Sequence, residues 1–371
     1  MNFANTNNSR HTLLYKGCRN FQPQNPYKNK YTATRPPKTK EMKRIIAIVA
    51  GGDSSEHDVS LRSAQGIKSF LEETEYVTYI VEIKGTKWEA HTGNGLRAKV
   101  DLNDFSFIDN GTKVKPDYAY ITIHGTPGEN GILEGYFDLI KLPYSTSDVL
   151  VEAMTFNKFA LNQFLSAQGV NIAKSVLLRK GQAARPTDKD IINTVGLPCF
   201  VKPNAGGSSF GVTKVKHAED LDTAIDKAMA ESPEVIIESF MQGTEITCGC
   251  YKTKTSGVVF PITEVVTSNE FFDYNAKYNG QVKEITPARL SAETTARVQA
   301  ETSKIYDLLG CRGIIRIDYI LTGTQGNEQI NLLEINTTPG MTATSFIPQQ
   351  VRAAGLKMSD VLSDIIEDSF C

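Results

Sequence analysis

The sequence predicts an α/β and α+β protein that opens, past a basic extension, on a doubly wound parallel sheet. Three observations carry this. The apolar run Lys43–Ala50 is followed at once by Gly51-Gly52 and a helix-forming stretch. Two further apolar segments, Tyr76–Ile83 and Asp117–Ile123, continue the alternation of strand, turn and helix over about 43–147. Near the C-terminus two segments of alternating polarity flank a Gly-containing turn, the pattern of an antiparallel hairpin.

The 371 residues suit two or three domains of roughly 150 residues each. Lys and Arg number 40 against 42 Asp and Glu, a net charge of −2 that gives no reason to expect a nucleic-acid protein. No apolar run approaches the ~18 residues that a membrane span requires. The charge is uneven, however. Residues 1–40 hold eight Lys/Arg and no acid, which leaves 32 basic residues against all 42 acidic ones beyond them. Rich in Asn, Lys and Pro, and without periodicity, residues 1–41 read as a disordered basic extension without the apolar segment of a secretory signal. The six cysteines include no CxxC pair, and Cys248 and Cys250 share one strand face. Reduced core thiols are expected, rather than a disulfide framework or zinc site.

In chain order, the helix after Gly52 begins near Ser54, with Ser55 and Asp58 spaced as a capping box. Phe156–Gln168 has helical periodicity and ends at Gly169. Strands follow at Cys199–Lys202, Gly211–Val215 and Val235–Phe240, with a glycine-rich loop at 206–211 and a helix over Ala218–Ala230. Ser291 caps a long helix that stops at Gly310, and Gly313–Leu321 and Gln329–Ile335 are the hairpin strands.

That hairpin carries the most chemistry. Side chains alternate along a strand, so Arg316 and Asp318 share one face, as do Glu334 and Asn336. A turn centred near Gly326 sets Asp318 opposite Glu334 and Arg316 opposite Asn336, with Cβ atoms about 4.5–5.5 Å apart. Two carboxylates and an amide so placed call for a cation, and Mg²⁺ takes oxygen ligands while sharing its shell with phosphates. Arg316 beside them offers a positive fork for anionic oxygens. The plainer reading is an exposed sheet face with an incidental ion pair. Against it stands the polar run Asn336–Thr342, which has little structural need of such residues.

Two weaker signals lie upstream. Lys202 and the loop Gly206-Gly207-Ser208-Ser209-Phe210-Gly211 can cradle an anion, although a plain turn reads the same way and no GxxxxGK[ST] is present. Glu238, Phe240 and Met241 end a strand that can meet a purine edge, with Glu245 within reach of ribose hydroxyls. His57 and His217 read as solvated surface residues. His124 reads equally as a core histidine or a ligand-facing one.

Four blocks together resemble D-alanine–D-alanine ligases of the ATP-grasp superfamily. They are Gly51–Ser60 (GGDSSEHDVS), His124–Gly131 (HGTPGENG), Lys277-Tyr278, and Glu334-x-Asn336-Thr-Thr-Pro-Gly-Met-Thr. The resemblance covers about Met42–Cys371. It implies an ATP-grasp fold of three domains: 42–147 for substrate, 148–245 as central subdomain, and 246–371 with the metal site and a lid loop at 267–280. It also implies roles. Lys158, Lys202, Lys277, Ser208 and Ser209 would hold the ATP phosphates. Glu238, Phe240, Met241, Glu245 and Phe271 would meet the nucleoside. Asp318, Glu334 and Asn336 would bind two Mg²⁺ or Mn²⁺ ions. Glu56 would take the ammonium of the first D-alanine and close a triad with Ser208 and Tyr278, with His124 nearby. Arg316 and the Gly340 amide would form the oxyanion hole. Gly340, Ser345 and Phe346 would border the second D-alanine.

Asn157 stands where Asp is common in that family, Thr338 where Ser is frequent, and Phe346 where Leu is common. Relatives that make D-alanyl-D-lactate carry His in the lid where this chain has Tyr278. The expected activity is therefore ATP-dependent synthesis of D-alanyl-D-alanine for peptidoglycan, by a cytoplasmic homodimer. A D-lactate-using ligase, another ATP-grasp carboxylate–amine ligase, and a nucleic-acid binder driven by residues 1–40 are the competing readings.

Overall fold

Ile45–Gly51 forms β1, and its alternation explains the architecture around it. Ile46, Ile48 and Ala50 face one core while Ala47 and Val49 face another, so both sides of the strand are buried, as a parallel sheet requires. The computed structural model describes residues 43–207, 211–267, 282–324 and 326–371, which form one compact unit. The basic extension, Ser208, Ser209, Phe271, Lys277, Tyr278 and nearly all of the expected lid at 267–280 lie outside the described residues.

The first region runs β1, α1 (His57–Leu71), β2 (Val77–Lys84), β3 (Lys87–His91), β4 (Arg97–Lys99), β5 (Phe107–Asp109), β6 (Thr112–Val114), β7 (Tyr118–Ile121) and α2 (Ile132–Ile140). The sheet order is β4-β3-β2-β1-β7, with β2, β1 and β7 parallel and β3 and β4 added antiparallel at one edge. The expected capping box does not form. The N-cap of α1 is Glu56, and Ser54 acts instead: its Oγ accepts from the Glu56 amide (3.2 Å) and donates to the His124 carbonyl (2.7 Å). Starting the helix at His57 also rolls that histidine inward. Its side chain is 18% exposed, with Nε2 3.7 Å from Glu82, so the expectation of a solvated residue is corrected. His217 is exposed as expected.

The middle region runs α3 (Val149–Phe156), α4 (Lys158–Ala167), β8 (Ser175–Arg179), α5 (Asp188–Val195), β9 (Cys199–Pro203), β10 (Thr213–Val215), α6 (Leu221–Glu231) and β11 (Glu234–Ser239). Its sheet is antiparallel, ordered β10-β9-β11-β8. The single helix expected from Phe156 is two helices broken at Asn157. That residue takes extended backbone, bridges to Ala205 and caps α4 through Ala160 N.

The last region runs β12 (Thr244–Lys252), β13 (Gly257–Val259), β14 (Thr263–Thr267), β15 (Val282–Ile285), α7 (Ala292–Leu309), β16 (Ile314–Thr322), β17 (Gln329–Asn336), α8 (Phe346–Ala353) and α9 (Met358–Asp368). Ser291 caps α7 through Thr294 N and Gly310 ends it in the left-handed region, both as expected. Asp318 pairs with Glu334 and Arg316 with Asn336, again as expected, but a bulge beyond Asp318 sets Tyr319 against Leu332. Leu333 is thus the extra residue. Cys199, Cys248, Cys250 and Cys311 are buried free thiols.

α8 and α9 return to cover the first sheet: Ile347, Val351, Leu362 and Ile365 share a core with Ile46, Ile48, Ile67 and Leu71. At about 1.5–3 kcal/mol per fully buried aliphatic side chain, this seam couples the two ends of the described chain strongly. The turn after β17 is held in it. Met341 N donates to Ser63 Oγ of α1 (3.2 Å), and Gly66 lets the helix approach so closely that a Cβ there would lie 2.2 Å from the Met341 carbonyl oxygen. In an open helix Gly→Ala stabilises by about 1 kcal/mol. Here the sign reverses: Gly66→Ala should lower stability by about 1–3 kcal/mol in urea unfolding, the usual cost of overpacking.

Candidate active site

The turn 337–342, the start of α1 and the end of β7 meet the glycine loop and β15 around one cavity of about 530 Å³. That size is ordinary for a small-molecule site. Glu56, at the helix start, reaches Gly207: a Cβ added there would lie 2.7 Å from Glu56 Oε2, so the loop needs glycine to come this close. His124, just past β7, lines the same space. Its Nε2 is buried with no hydrogen-bond partner among the described residues, and burial pulls its pKa below the usual imidazole value. The ring is therefore neutral, with an open nitrogen.

Lys158, at the start of α4, lines the cavity and donates to the Gly206 carbonyl (2.7 Å). Burial lowers its pKa, a pull that the nearby Glu334 charge opposes. Asn204 fixes this corner, accepting from Phe159 N (2.9 Å) and donating to Asn157 Oδ1 (2.9 Å).

Across the cavity stands the hairpin. Arg316 grips Asp318 with both prongs, Nε to Oδ1 at 2.9 Å and a terminal nitrogen to Oδ2 at 2.8 Å, while Asn336 Nδ2 donates to the same Oδ2 at 3.2 Å. Burial works against the Arg316 charge, but Asp318 holds it protonated beyond any working pH. The guanidinium also lies 5.2 Å from the Phe346 ring centre. Glu334, Asn336 and Arg316 line the cavity; Asp318 sits one layer back. Two carboxylates and an amide oxygen on paired strands are hard donors that suit Mg²⁺ or Mn²⁺, with substrate phosphates completing the shell. Ser345 Oγ accepts from Thr342 N (3.1 Å) and lies 3.1 Å from where a Gly340 Cβ would stand, so these two residues form one rim with Phe346.

Two family models account for most of the chain. "D-ala D-ala ligase N-terminus" matches residues 45–147 and "D-ala D-ala ligase C-terminus" residues 164–367. The chain belongs to the D-alanine–D-alanine ligase family. The D-alanine–D-alanine ligase of Phocaeicola vulgatus is 65% identical over 329 residues, spanning 89% of this chain and 100% of the relative. That of Porphyromonas gingivalis strain W83 is 53% identical over 326 residues, 88% of this chain and 98% of the relative. Among solved structures, the VanG D-Ala:D-Ser ligase of Enterococcus faecalis superposes with a TM-score of 0.76 at 30% identity, covering 88% of this chain and 99% of that one. D-alanyl-alanine synthetase A of Vibrio cholerae gives 0.77 at 27% identity, with 88% and 98% covered.

Within this family member, the expected substrate-side residues Glu56, His124, Arg316, Gly340, Ser345 and Phe346 all border the cavity, together with Lys158, Glu334 and Asn336. The expected phosphate-side Lys202 and the nucleoside-side Glu238, Phe240, Met241 and Glu245 do not. Lys202 and Glu238 are a buried diagonal pair on β9 and β11, 2.5 Å apart, and Asn162 donates to Glu238 at 2.8 Å. Phe240 packs on Phe200, with Lys214 Nζ 4.0 Å over its ring. Met241 and Glu245 are half-buried beyond the strand end.

The cavity also holds residues that the sequence reading passed over: Arg62, Glu129, Thr155, Glu284 and Gln349. Glu129 accepts from Gly125 N (2.7 Å), and burial, then the Glu56 charge, pushes its carboxyl up to about 7. Its place inside the HGTPGENG block was the available signal.

Removing one partner of the Lys202–Glu238 pair strands a buried charge. Lys202→Met should destabilise by about 3–5 kcal/mol, and adding Glu238→Leu should recover most of the loss in guanidinium unfolding. Equal stability of single and double variants would contradict that coupling.

Proposed function

We propose that this chain joins two D-alanines into D-alanyl-D-alanine at the expense of ATP, through a D-alanyl phosphate, for peptidoglycan synthesis. The observation that supports it best is the meeting, in one cavity, of an anionic anchor (Glu56) with a paired-strand oxygen cluster and an arginine fork. The first holds an ammonium; the second suits phosphoryl transfer.

The chemistry divides between the walls. Joining a carboxylate to an amine in water is uphill, so the first D-alanine carboxylate takes the γ-phosphoryl group of ATP. Glu56 fixes that substrate by its ammonium, and neutral His124 lies beside it without adding charge. Lys158, with Lys202, Lys277 and the 208–209 loop, steadies the triphosphate; Glu238, Phe240, Met241, Glu245 and Phe271 receive the nucleoside. Asp318, Glu334 and Asn336 would hold two Mg²⁺ or Mn²⁺ ions, which when bound neutralise phosphate charge during transfer. Ser345 and Gly340 orient the second D-alanine by its carboxylate while Phe346 limits its side chain. Its amine attacks the acyl carbon, phosphate departs, and the oxyanion formed on the way is met by Arg316 and the Gly340 amide. The acyl phosphate needs shelter from water, the role we assign to 267–280 with Tyr278 and Ser208 closing over Glu56.

We assign residues 42–147, 148–245 and 246–371 to substrate, central and metal-bearing domains, and the reaction to the cytoplasm, where ATP is available. No helix among the described residues is long and apolar enough to cross a membrane. A homodimer is supported by exposed apolar residues on α2 and α3: Ile132 and Leu139, seven residues apart on α2, and Leu150 on α3 are 62%, 83% and 67% exposed. Sedimentation velocity should give twice the monomer mass, falling to the monomer in Leu139→Glu/Leu150→Glu; an unchanged mass would remove these residues from the interface.

Purified protein should release ADP in proportion to D-alanine, with D-lactate failing to replace it as acceptor across pH 6–9. Glu334→Gln should cut that release at least about 100-fold while leaving the melting temperature within a few degrees. Normal turnover would overturn the metal assignment, and preference for D-lactate would move the chain to the depsipeptide class.

A further inference from the structure

Behind the cavity lies a group of carboxyls that the mechanism leaves unused. Glu152 of α3 and Glu134 of α2 are both 0% exposed. Glu152 interrupts an otherwise apolar stretch, Val149–Met154, on a helix whose neighbouring buried side chains are Val151 and Thr155. A carboxyl at such a place costs desolvation unless its oxygens are used. They are. Oε1 accepts from Ser147 N (2.9 Å), and Oε2 is hydrogen-bonded to the hydroxyl of Thr337.

Thr337 is the residue between Asn336, at the end of β17, and the turn Thr338-Pro339-Gly340. That turn is tied down at three points. Thr337 meets Glu152, Thr338 Oγ1 donates to the Ile123 carbonyl (3.0 Å), and Met341 N donates to Ser63 Oγ (3.2 Å). The Glu152 tie is the one adjacent to Asn336, and it reaches a fully buried side chain on a helix. Ser147 extends the anchor, its Oγ accepting from Arg312 N (3.1 Å) just before β16. One carboxyl thus links α3 to the end of β17, and through Ser147 to the start of β16.

We propose that Glu152 is a positioning residue, whose bonds to Thr337 and Ser147 fix the turn carrying Asn336 at one end and Gly340 at the other. It touches neither substrate nor metal; it acts through Thr337. The inference deepens the ligase reading and rests on it for the roles of Asn336 and Gly340.

Its protonation state follows from its surroundings. The titratable groups facing it are acids: Glu134 from α2, Glu129 from the loop before α2, and the Cys311 thiol after α7. The Arg312 guanidinium lies at the surface near Asp148 (3.7 Å). Burial first, then Glu134, holds Glu152 well above the usual carboxylate range, and burial pushes Glu134 up to about 8. Glu134 Oε1 is bonded to Thr146 (3.1 Å), while its Oε2 is buried without a partner among the described residues. Within that setting Glu152 accepts from both sides, from Thr337 Oγ1 at Oε2 and from Ser147 N at Oε1.

The test compares Glu152→Gln with Glu152→Leu in the full chain. Glutamine can keep both bonds, its Oε1 accepting from Ser147 N and its Nε2 donating to the Thr337 hydroxyl oxygen. It should leave kcat at pH 7 within about twofold. Leucine keeps the volume and loses both bonds. It should lower kcat by about 10²-fold, the effect expected of a misplaced site, and weaken Mn²⁺-dependent binding of a non-hydrolysable ATP analogue without changing metal-free binding. Thr337→Val should reproduce the leucine signature, which guards against a leucine variant that fails to fold. Unchanged kcat and Mn²⁺ dependence in both Glu152→Leu and Thr337→Val would overturn the proposal. So would a Gln variant as impaired as the Leu one. If the wild-type chain shows no D-alanine-dependent ADP release, the ligase reading fails by itself. The Mn²⁺-dependent nucleotide affinities of the three variants then still decide what Glu152 does.

Discussion

The site is organised by the doubly bonded pair of Arg316 and Asp318, one turn of pleat apart on β16 and backed by Asn336 on β17. A guanidinium and a carboxylate, both with little access to water, are costly to bury singly and tolerable only together. Asn336 Nδ2, donating to Asp318 Oδ2 at 3.2 Å, ties this pair to β17 in a register that sets Asp318 against Glu334. That register in turn sets Glu334 and Asn336 toward the cavity and puts the following turn at its rim. The Arg316 fork also faces the Phe346 ring, so one charge orders both the strand pair and the start of α8.

Around that pair, the rest of the fold works mainly as a frame for the segment 337–342. α1 approaches it through Gly66 and Ser63, β7 through the Ile123 carbonyl, and α3 through Glu152. Each of these elements belongs to a different stretch of chain, and each makes contact with the same short turn. A site assembled this way gains precision from the packing of all its supports, since a displacement of any one is transmitted to the same few atoms.

Much of this was legible in the sequence, for identifiable reasons. The period-two rule, together with a turn centred near Gly326, places Asp318 against Glu334 and Arg316 against Asn336. The caps of α7 were legible through Ser291 and Gly310. What escaped was non-local. The bulge at Leu333 depends on cross-strand packing that no spacing encodes. The break at Asn157 looks helical by periodicity, and only its bridge to Ala205 reveals it. His57 reads as polar surface until α1 is seen to turn it over the end of β1, and nothing local marks Glu152, whose partner Thr337 lies 185 positions away. Lys202 and Glu238 were read separately as ligand contacts, whereas the strand pairing of β9 and β11 makes them partners.

The seam between α8, α9 and the first sheet bears on how the chain is made. Ile46 and Ile48 leave the ribosome about 300 residues before Ile347, Val351, Leu362 and Ile365, which cover them. At about 5–20 residues per second, the apolar underside of that sheet stays uncovered for tens of seconds. Nascent chains therefore carry an adhesive surface throughout synthesis, and holdase protection falls most naturally on this half-finished layer.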